Sequence, residues 1–195
     1  MNEAYLSHFR ADNTVLMVID CQNDFVAPDN VFQSERPENL IPNIKEAIDW
    51  AHSKQIPVIY TQETHRRQKI DYGLELERGD PQHCLEGTKG WEIVPELTPQ
   101  EDDYIVVKRR YSAFYLTDLE LLLKSLGREN LILTGADTNV CVYACALEAQ
   151  ARNFRTIALS DCTSGTTQEL HEAFLQNIDY ILGEVMTLPD LKTRI

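Results

Sequence analysis

The sequence contains no long apolar run, and its N-terminal segment is predominantly polar. A membrane-spanning helix needs about 20 consecutive apolar residues, and no segment of the chain comes near that length. The beginning, MNEAYLSHFRADN, lacks the apolar stretch of a secretory signal peptide. We therefore expect no transmembrane span and a cytoplasmic location.

The chain is also short of positive charge, with 18 Lys and Arg residues against 31 Asp and Glu residues and a net charge of −13. Nucleic acids and anionic membranes are both bound through basic surfaces. The composition therefore argues against either of them as a partner. The acidity can serve solubility alone, so it does not indicate the substrate.

The five cysteines form no disulfide or metal pattern in the sequence. Their number is odd, their spacing is irregular and no CxxC pair is present, which disfavours a disulfide framework and excludes a zinc ribbon. They are Cys21, Cys84, Cys141, Cys145 and Cys162. We interpret Cys145, one helical turn after Cys141, as a core residue rather than a resolving thiol, and Cys21, Cys84 and Cys162 as structural.

What the chain does contain is a regular alternation of apolar runs and amphipathic segments. With 195 residues, 43% of them hydrophobic, it is expected to form one domain around a full core. The alternation is typical of βαβ units, which build a parallel sheet covered on both faces. The predicted strands are 14–19, 56–61, 103–108, 131–135, 154–160 and 180–186, and the predicted helices are 40–54, 117–127, 140–152 and 167–178. The long mixed stretch 62–102 is interpreted as a functional insertion.

Reactive side chains follow four of the predicted strands. They are Asp20 after the first, Glu63 and His65 after the second, Lys108 at the end of the third and Cys141 just beyond the fourth. In open parallel sheets, ligands bind beyond the carboxyl ends of the strands, so these residues should converge at one edge. Each also has an ordinary alternative: Asp20 can cap a loop, Lys108 can extend to solvent, and Cys141 can be small apolar filler.

Together these groups supply a nucleophile and the means to activate it. A helix N-terminus and an ammonium group both stabilise a thiolate, so the predicted helix and Lys108 would activate Cys141. A carboxylate such as Asp20 can accept the thiol proton and later return it to a leaving amine. Backbone N–H groups in the loop before Cys141 would form an oxyanion hole.

Four segments carry a resemblance to a known family: VLMVIDCQNDF, VIYTQETH, VVKRRYSAFYLTDLE and LILTGADTNVCVYACALEAQARNF. In this order they resemble the isochorismatase-like cysteine hydrolase superfamily, which includes nicotinamidases and N-carbamoyl amidohydrolases, over residues 12–186. The resemblance implies a Rossmann-like three-layer α/β/α fold with a six-stranded, mostly parallel sheet. It also implies a catalytic triad of Asp20, Lys108 and Cys141. Because the relatives that act on vinyl ethers lack this cysteine, Cys141 favours hydrolysis of an amide or carbamoyl C–N bond.

The resemblance further implies a non-proline cis peptide bond between Ala136 and Asp137. In the family this bond aims a backbone N–H, here that of Asp137, at the oxyanion beside the N–H of Cys141. Many relatives have a small apolar residue or threonine where this chain has Asp137. Its carboxylate must therefore point away from the oxyanion or be neutralised.

A metal site is a further implication of the resemblance. Nicotinamidases bind a divalent metal through Asp-x-His and a later His in an HC-x-x-G-T-x-G segment, and here the corresponding residues are Glu63, His65 and His83. Two imidazoles and a carboxylate are a common ligand set for zinc, and iron or manganese are the other expected ions. Glu63 replaces an aspartate, however, so the same residues are alternatively part of a substrate pocket or of a metal-free charge network.

Three aromatic residues match positions that flank the substrate in relatives: Phe25, Tyr111 and Phe114. Each is alternatively an ordinary core residue. Several charged residues of the 62–102 stretch either bond to urea-like or amino groups of a substrate or are solvated loop charges. They are Arg66, Arg67, Asp71, Glu75 and Glu77.

The sequence thus predicts a cysteine-dependent amidohydrolase that cleaves a small amide, carbamoyl, ureido or biuret-like substrate through a thioester. The thiol chemistry requires no cofactor. Two alternatives stay open, a metal-dependent nicotinamidase and a non-catalytic relative that binds a small molecule. The resemblance also implies a homodimer or homotetramer.

Overall fold

The computed structural model describes residues 2–34 and 36–195 and contains six β-strands. They are β1 (Thr14–Ile19), β2 (Val58–Glu63), β3 (Tyr104–Lys108), β4 (Asn130–Ala136), β5 (Arg155–Ser164) and β6 (Glu184–Met186). The α-helices are α1 (Glu3–Leu6), α2 (Asn23–Val26), α3 (Leu40–Ser53), α4 (Leu119–Ser125), α5 (Tyr143–Ala151), α6 (Gln168–Asn177) and α7 (Leu188–Lys192). Within the described ranges, no helix has the length and apolar character that a membrane crossing requires.

The six strands form one sheet in the order β3-β2-β1-β4-β5-β6, and every neighbouring pair is parallel. β1 lies between β2 and β4, so the chain reverses its direction of travel across the sheet at β1. This point is where doubly wound sheets open a crevice beyond the strand ends. The predicted Rossmann-like sheet is therefore confirmed.

Helices cover both faces of the sheet and divide the core into two layers. One layer contains α3 and α7, with Ile44, Ala47 and Ile48 of α3 packed beneath the strands. The other layer contains α4 and α5, with Leu123 of α4 and Ala146 of α5 among its fully buried residues. Because both faces are covered, all six residues of β1 are buried, which explains its uninterrupted apolar run.

The last predicted strand, 180–186, is wrong over its first half. Residues Ile178–Leu182 form a π-helical turn that continues α6, and the strand comprises only Glu184–Met186. Ile178 and Leu182 are buried while Tyr180 is 84% exposed, so the run follows helical rather than alternating periodicity. Gly183 then allows β6 to approach β5 closely, since a Cβ there would lie 2.2 Å from Thr156 Oγ1.

Candidate active site

The ends of β1, β3 and β4 bring Asp20, Lys108 and Cys141 into contact. Lys108 Nζ lies 2.8 Å from Asp20 Oδ2 and 3.6 Å from Cys141 Sγ. Asp20 and Lys108 have no exposed surface, and Cys141 is 5% exposed. The convergence predicted from the strand ends is therefore present, at the point where the sheet order reverses.

Asp20 is held rigidly at the end of β1. Its backbone has a φ of 49°, a left-handed conformation that aspartate tolerates better than most residues. Its N–H is within bonding distance of Thr61 Oγ1, and the Thr61 hydroxyl donates to Asp20 Oδ1 over 2.7 Å. The second carboxylate oxygen, Oδ2, is thereby left to face Lys108.

Gly135 lets the end of β4 approach the end of β1. Its φ is 105°, and a Cβ at this position would lie 2.0 Å from the carbonyl oxygen of Ile19. No larger residue fits this close contact without displacing one strand. The glycine therefore brings the segment that carries Cys141 next to the segment that carries Asp20.

Cys141 lies in a π-helical turn, Thr138–Val142, which precedes α5. The predicted helix over 140–152 thus begins at Tyr143, and its first residues belong to this π-turn. Single π-turns are frequent at functional sites. The Asp137 carbonyl accepts bonds from the N–H groups of Val140 and Val142, and the bond between Ala136 and Asp137 is cis as predicted.

Lys108 connects the thiol to two carboxylates. Besides Asp20, its ammonium contacts Glu63 Oε2 at 2.6 Å and donates to the Arg110 carbonyl over 3.0 Å. Burial alone would lower the pKa of Lys108, but Asp20, Cys141 and Glu63 hold that pKa well above its ordinary value. Lys108 is therefore a permanent cation in the site.

Asp20 and Cys141 have environments suited to a proton transfer between them. Burial, opposed by Lys108 and reinforced by Glu63, raises the pKa of Asp20. Burial also raises the pKa of the Cys141 thiol, with Lys108 acting in the opposite direction. Because its pKa is raised, the buried thiol does not release its proton to solvent. A carboxylate with a raised pKa is a better base, so Asp20 is suited to accept that proton.

A second group of titratable residues lies beside the first and shares Glu63 with it. The group comprises Glu63, His65, Glu75 and His83, all buried, and their ligand atoms lie within 4.8 Å of one another. Glu63 Oε1 is 3.2 Å from His65 Nε2 and 3.1 Å from His83 Nε2. Glu75 Oε2 is 3.3 Å from the same His83 nitrogen.

The surroundings of His83 fix the orientation of its ring. His83 Nδ1 lies 2.8 Å from the Pro81 carbonyl oxygen, which directs Nε2 toward the two glutamates. The Tyr72 hydroxyl donates to the His83 carbonyl and accepts its N–H, and the Tyr72 ring stacks on His65 at 3.9 Å. Burial would lower the pKa of His83, but its bonds to Glu63 and Glu75 raise the pKa to about 10.

A cavity of about 510 Å³ opens onto Cys141. Phe25 and Tyr111, two of the three aromatic residues predicted to flank the substrate, line it, and Phe32 joins Phe25 in a stacked pair with ring centroids 5.6 Å apart. Phe114 is placed elsewhere. It is buried in the layer of α4 and α5 with its ring 5.8 Å from that of Phe154, which fits the alternative core interpretation of this residue.

The carboxylate of Asp137 is neutralised by an ion pair. Arg36 Nη1 lies 2.5 Å from Asp137 Oδ1, and both side chains are at most 10% exposed. This contact explains how an acidic residue is accommodated in the loop before Cys141.

Sequence reasoning missed three contributors to the site: Phe32, Arg36 and Asn139. Phe32 and Arg36 belong to the irregular segment between α2 and α3, where no periodicity indicates which side chains point inward. Asn139 bonds to Thr166 through both its side-chain oxygen and its amide group. Its position two residues before Cys141 is the signal that could identify it. In the sequence, Glu75 is only one loop charge among several.

Comparisons with known proteins agree with this fold. The Isochorismatase domain model matches residues 14–190, and the chain belongs to the isochorismatase family. A probable inactive nicotinamidase from Arabidopsis thaliana is 33% identical over 184 residues, covering 90% of this chain and 93% of that protein. The ureidoacrylate amidohydrolase RutB of Acinetobacter baylyi is 30% identical, with 89% and 80% covered. The structure of a Pyrococcus horikoshii pyrazinamidase in complex with zinc superimposes with a TM-score of 0.81 at 28% identity, covering 90% of this chain and 99% of that one.

The zinc of that relative poses the question whether this chain can hold a divalent metal. Two imidazole nitrogens and two carboxylate oxygens are donors that zinc, iron and manganese accept. Three nitrogen–oxygen separations in the group, of 3.1–3.3 Å, are close to the spacing of about 3.3 Å between neighbouring ligands of a tetrahedral zinc site, and all four ligand atoms lie within 4.8 Å of one another. The bond from His83 Nδ1 to a backbone carbonyl is the type of outer contact that orients metal-binding histidines. The group therefore fits a divalent metal.

Proposed function

We propose that the protein is an amidohydrolase in which Cys141 attacks the carbonyl carbon of a small amide. The observation that carries this proposal is the contact of one buried ammonium, Lys108, with both the Asp20 carboxylate and the Cys141 thiol. The three groups are positioned by three different strand ends and open onto one cavity through Cys141. Relatives named as ureidoacrylate amidohydrolase and pyrazinamidase support the same reaction class, whereas the Arabidopsis relative named as a probable inactive nicotinamidase does not.

The first half of the reaction forms a thioester. Asp20 takes the proton from Cys141 Sγ, and the thiolate forms a bond to the amide carbon. The carbonyl oxygen then carries a negative charge, which the N–H groups of Asp137 and Cys141 stabilise. As the C–N bond breaks, Asp20 gives its proton to the nitrogen, which leaves as ammonia or an amine.

The second half hydrolyses the thioester. Water loses a proton to Asp20 and forms a bond to the same carbon, again with the charge held by the two N–H groups. The C–S bond then breaks and the sulfur recovers its proton from Asp20. Lys108 remains protonated throughout and stabilises each anion formed by Asp20 or Cys141, in agreement with its raised pKa.

Glu63, His65, Glu75 and His83 are the residues that would hold a metal ion. A bound divalent metal supplies a Lewis acid that polarises a substrate atom or orients a water molecule. The role of these residues in this chain is to position that group beside the cavity, because Glu63 and His83 both line it.

The cavity favours a small amide, carbamoyl, ureido or biuret-like substrate. Aromatic rings of Phe25, Phe32 and Tyr111 form part of its wall, while Asn139 and Thr166 contribute polar groups. Such a lining suits a flat, polar molecule that carries several N–H donors and carbonyl oxygens.

An ammonia-release screen tests the proposal directly. It covers biuret, triuret, ureido acids, N-carbamoyl amino acids and nicotinamide, with C141A and D20N as matched controls. Release of ammonia by the wild-type protein and not by either variant is the expected result. Full activity in Cys141→Ala with any of these substrates would overturn the assignment of the nucleophile.

The second candidate is a metal-dependent nicotinamidase, and the four-residue group around His83 is the observation that favours it. Metal analysis of protein purified without chelator separates the two candidates when it is combined with the screen. Stoichiometric metal together with nicotinamide as the best substrate supports the second candidate. A preference for ureido or carbamoyl compounds supports the first.

A further inference from the structure

The ion pair between Arg36 and Asp137 places a compensating charge directly behind the predicted oxyanion hole. Asp137 lines the cavity that contains Cys141, whereas Arg36 does not and instead lines cavities outside it. Asp137 therefore borders the cavity that contains the reacting groups, and Arg36 contacts its carboxylate from outside that cavity. The pair differs from an ordinary surface ion pair, because the side chains of both partners are nine-tenths buried or more.

Arg36 is held by three separate segments of the chain. Its Nε donates to the Phe25 carbonyl over 3.0 Å, and Nη1 donates to the Gly165 carbonyl over 2.8 Å. Nη1 also forms the pair with Asp137. Through Nε and Nη1 the guanidinium thus joins α2, the residue after β4 and the residue after β5.

The charge of Asp137 needs this partner. Burial raises the pKa of Asp137, Arg36 lowers it, and Asp20 raises it further. Among the described residues, Arg36 is the cation that pairs with Asp137. Without it, Asp137 in its ionised form would place an uncompensated negative charge beside a site where a thiolate and then an oxyanion form, and like charges in a buried site repel strongly.

We propose that Arg36 is a positioning residue of the hydrolase, which cancels the charge of Asp137 and so keeps the oxyanion hole attractive to an anion. This inference rests on the proposed function. It assigns a catalytic consequence to a residue that does not touch the substrate, and it makes Arg36 and Asp137 a unit. Removal of Arg36 alone leaves the negative charge of Asp137 uncompensated beside the oxyanion hole. Removal of both charges leaves no group there that repels the oxyanion.

A double-mutant cycle tests the proposal with wild type, Arg36→Met, Asp137→Asn and the combined variant. For R36M we expect kcat to fall about 100-fold, because a buried carboxylate is left unpaired beside the oxyanion. The combined variant should recover at least about tenfold of that loss, a coupling that independent sites do not show. If the combined variant is as impaired as R36M, the guanidinium acts only by holding the Phe25 and Gly165 carbonyls and the proposal is overturned.

Two further measurements keep the test decisive. Arg36→Lys keeps the charge and loses the fork, so it should retain more activity than R36M, and a poorer result for R36K contradicts charge compensation. If R36M does not fold, Arg36→Gln is compared in the wild-type and D137N backgrounds, with the same expected rescue.

The rate of Cys141 alkylation by iodoacetamide near neutral pH reports on the same charge without a substrate. R36M should react more slowly than wild type, by about tenfold, and D137N should restore the rate in the R36M background. A wild-type protein that releases no ammonia from any amide would refute the proposed function. The alkylation rates would still decide whether Arg36 compensates Asp137.

Discussion

The two neighbouring groups of titratable residues are built in different ways. Asp20 and Lys108 stand at the ends of β1 and β3, and Cys141 lies in the π-helical turn that follows β4, so strand pairing fixes where these three segments begin. In the second group, Glu63 ends β2, but Glu75 and His83 come from the long irregular stretch between β2 and β3. Rigid strands suit a reaction that needs the same geometry in every member of a family, whereas loops allow the ligand set and the substrate to vary.

Glu63 is where the two groups meet. One of its oxygens contacts Lys108 and the other contacts His65 and His83. Burial would raise the pKa of Glu63, but Lys108 and the two imidazoles hold it well below its ordinary value. The carboxylate is therefore ionised, and it connects the loop group to the ammonium beside the thiol.

The largest expected effect is at the nucleophile. Cys141→Ala should lower kcat by about 10⁴-fold or more, since no other group can form the thioester. Ammonia release at saturating substrate measures it, and thermal unfolding of both proteins controls for misfolding. A C141A protein with more than a tenth of the wild-type rate would show that the strand-end group is not the reaction centre.

Asp20→Asn should lower kcat/KM by about 10²–10⁴-fold, because the amide cannot accept the thiol proton. The pH profile of the wild type is a second readout. Burial raises the pKa of Asp20 and the base must be ionised, so activity should fall as the pH drops through a value above about 4, the ordinary pKa of aspartate. A rate that stays constant down to pH 4 contradicts the role of Asp20.

Glu63→Gln should affect both groups, by about 10–100-fold in kcat and in zinc affinity. The glutamine cannot balance the charge of Lys108 or ligate a metal as a carboxylate does. His83→Asn is the matched variant, because it removes a loop ligand and leaves the Lys108 contact intact. Equal losses of kcat in E63Q and H83N would show that the two groups are not linked through Lys108.

The smallest expected effects are those of substitutions that distinguish a residue of the cavity wall from a residue of the core. Phe32→Leu should raise KM by less than about tenfold and leave stability nearly unchanged, since Phe32 lines the cavity. Phe114→Leu should instead destabilise the fold by about 1–2 kcal/mol with KM unaffected, because Phe114 packs on Phe154. Steady-state kinetics and chemical denaturation of both variants check this pair. A raised KM in F114L would return that residue to the substrate site.

The part of the site built from strands could be predicted from the sequence, and much of the part built from irregular segments could not. β1 matches its predicted bounds, and the rule that ligands bind at strand ends is sufficient to predict that Asp20, Lys108 and Cys141 converge. The role of Arg36 could not be predicted, because its partner is about a hundred positions away and its own segment has no periodicity. The strand predicted over 180–186 is wrong over its first half because the buried residues Ile178 and Leu182, four apart, belong to a helical turn, whereas Glu184–Met186 does form a strand.

The central claim is that Cys141 becomes covalently acylated, and intact-protein mass spectrometry tests it most directly. Wild-type protein is mixed with the best substrate from the screen and quenched in acid within one turnover. The account predicts a mass increase equal to the acyl group, located on Cys141, removable by hydroxylamine and absent from C141A. Turnover by C141A at the wild-type rate, with no adduct on Cys141 in the wild type, would contradict it.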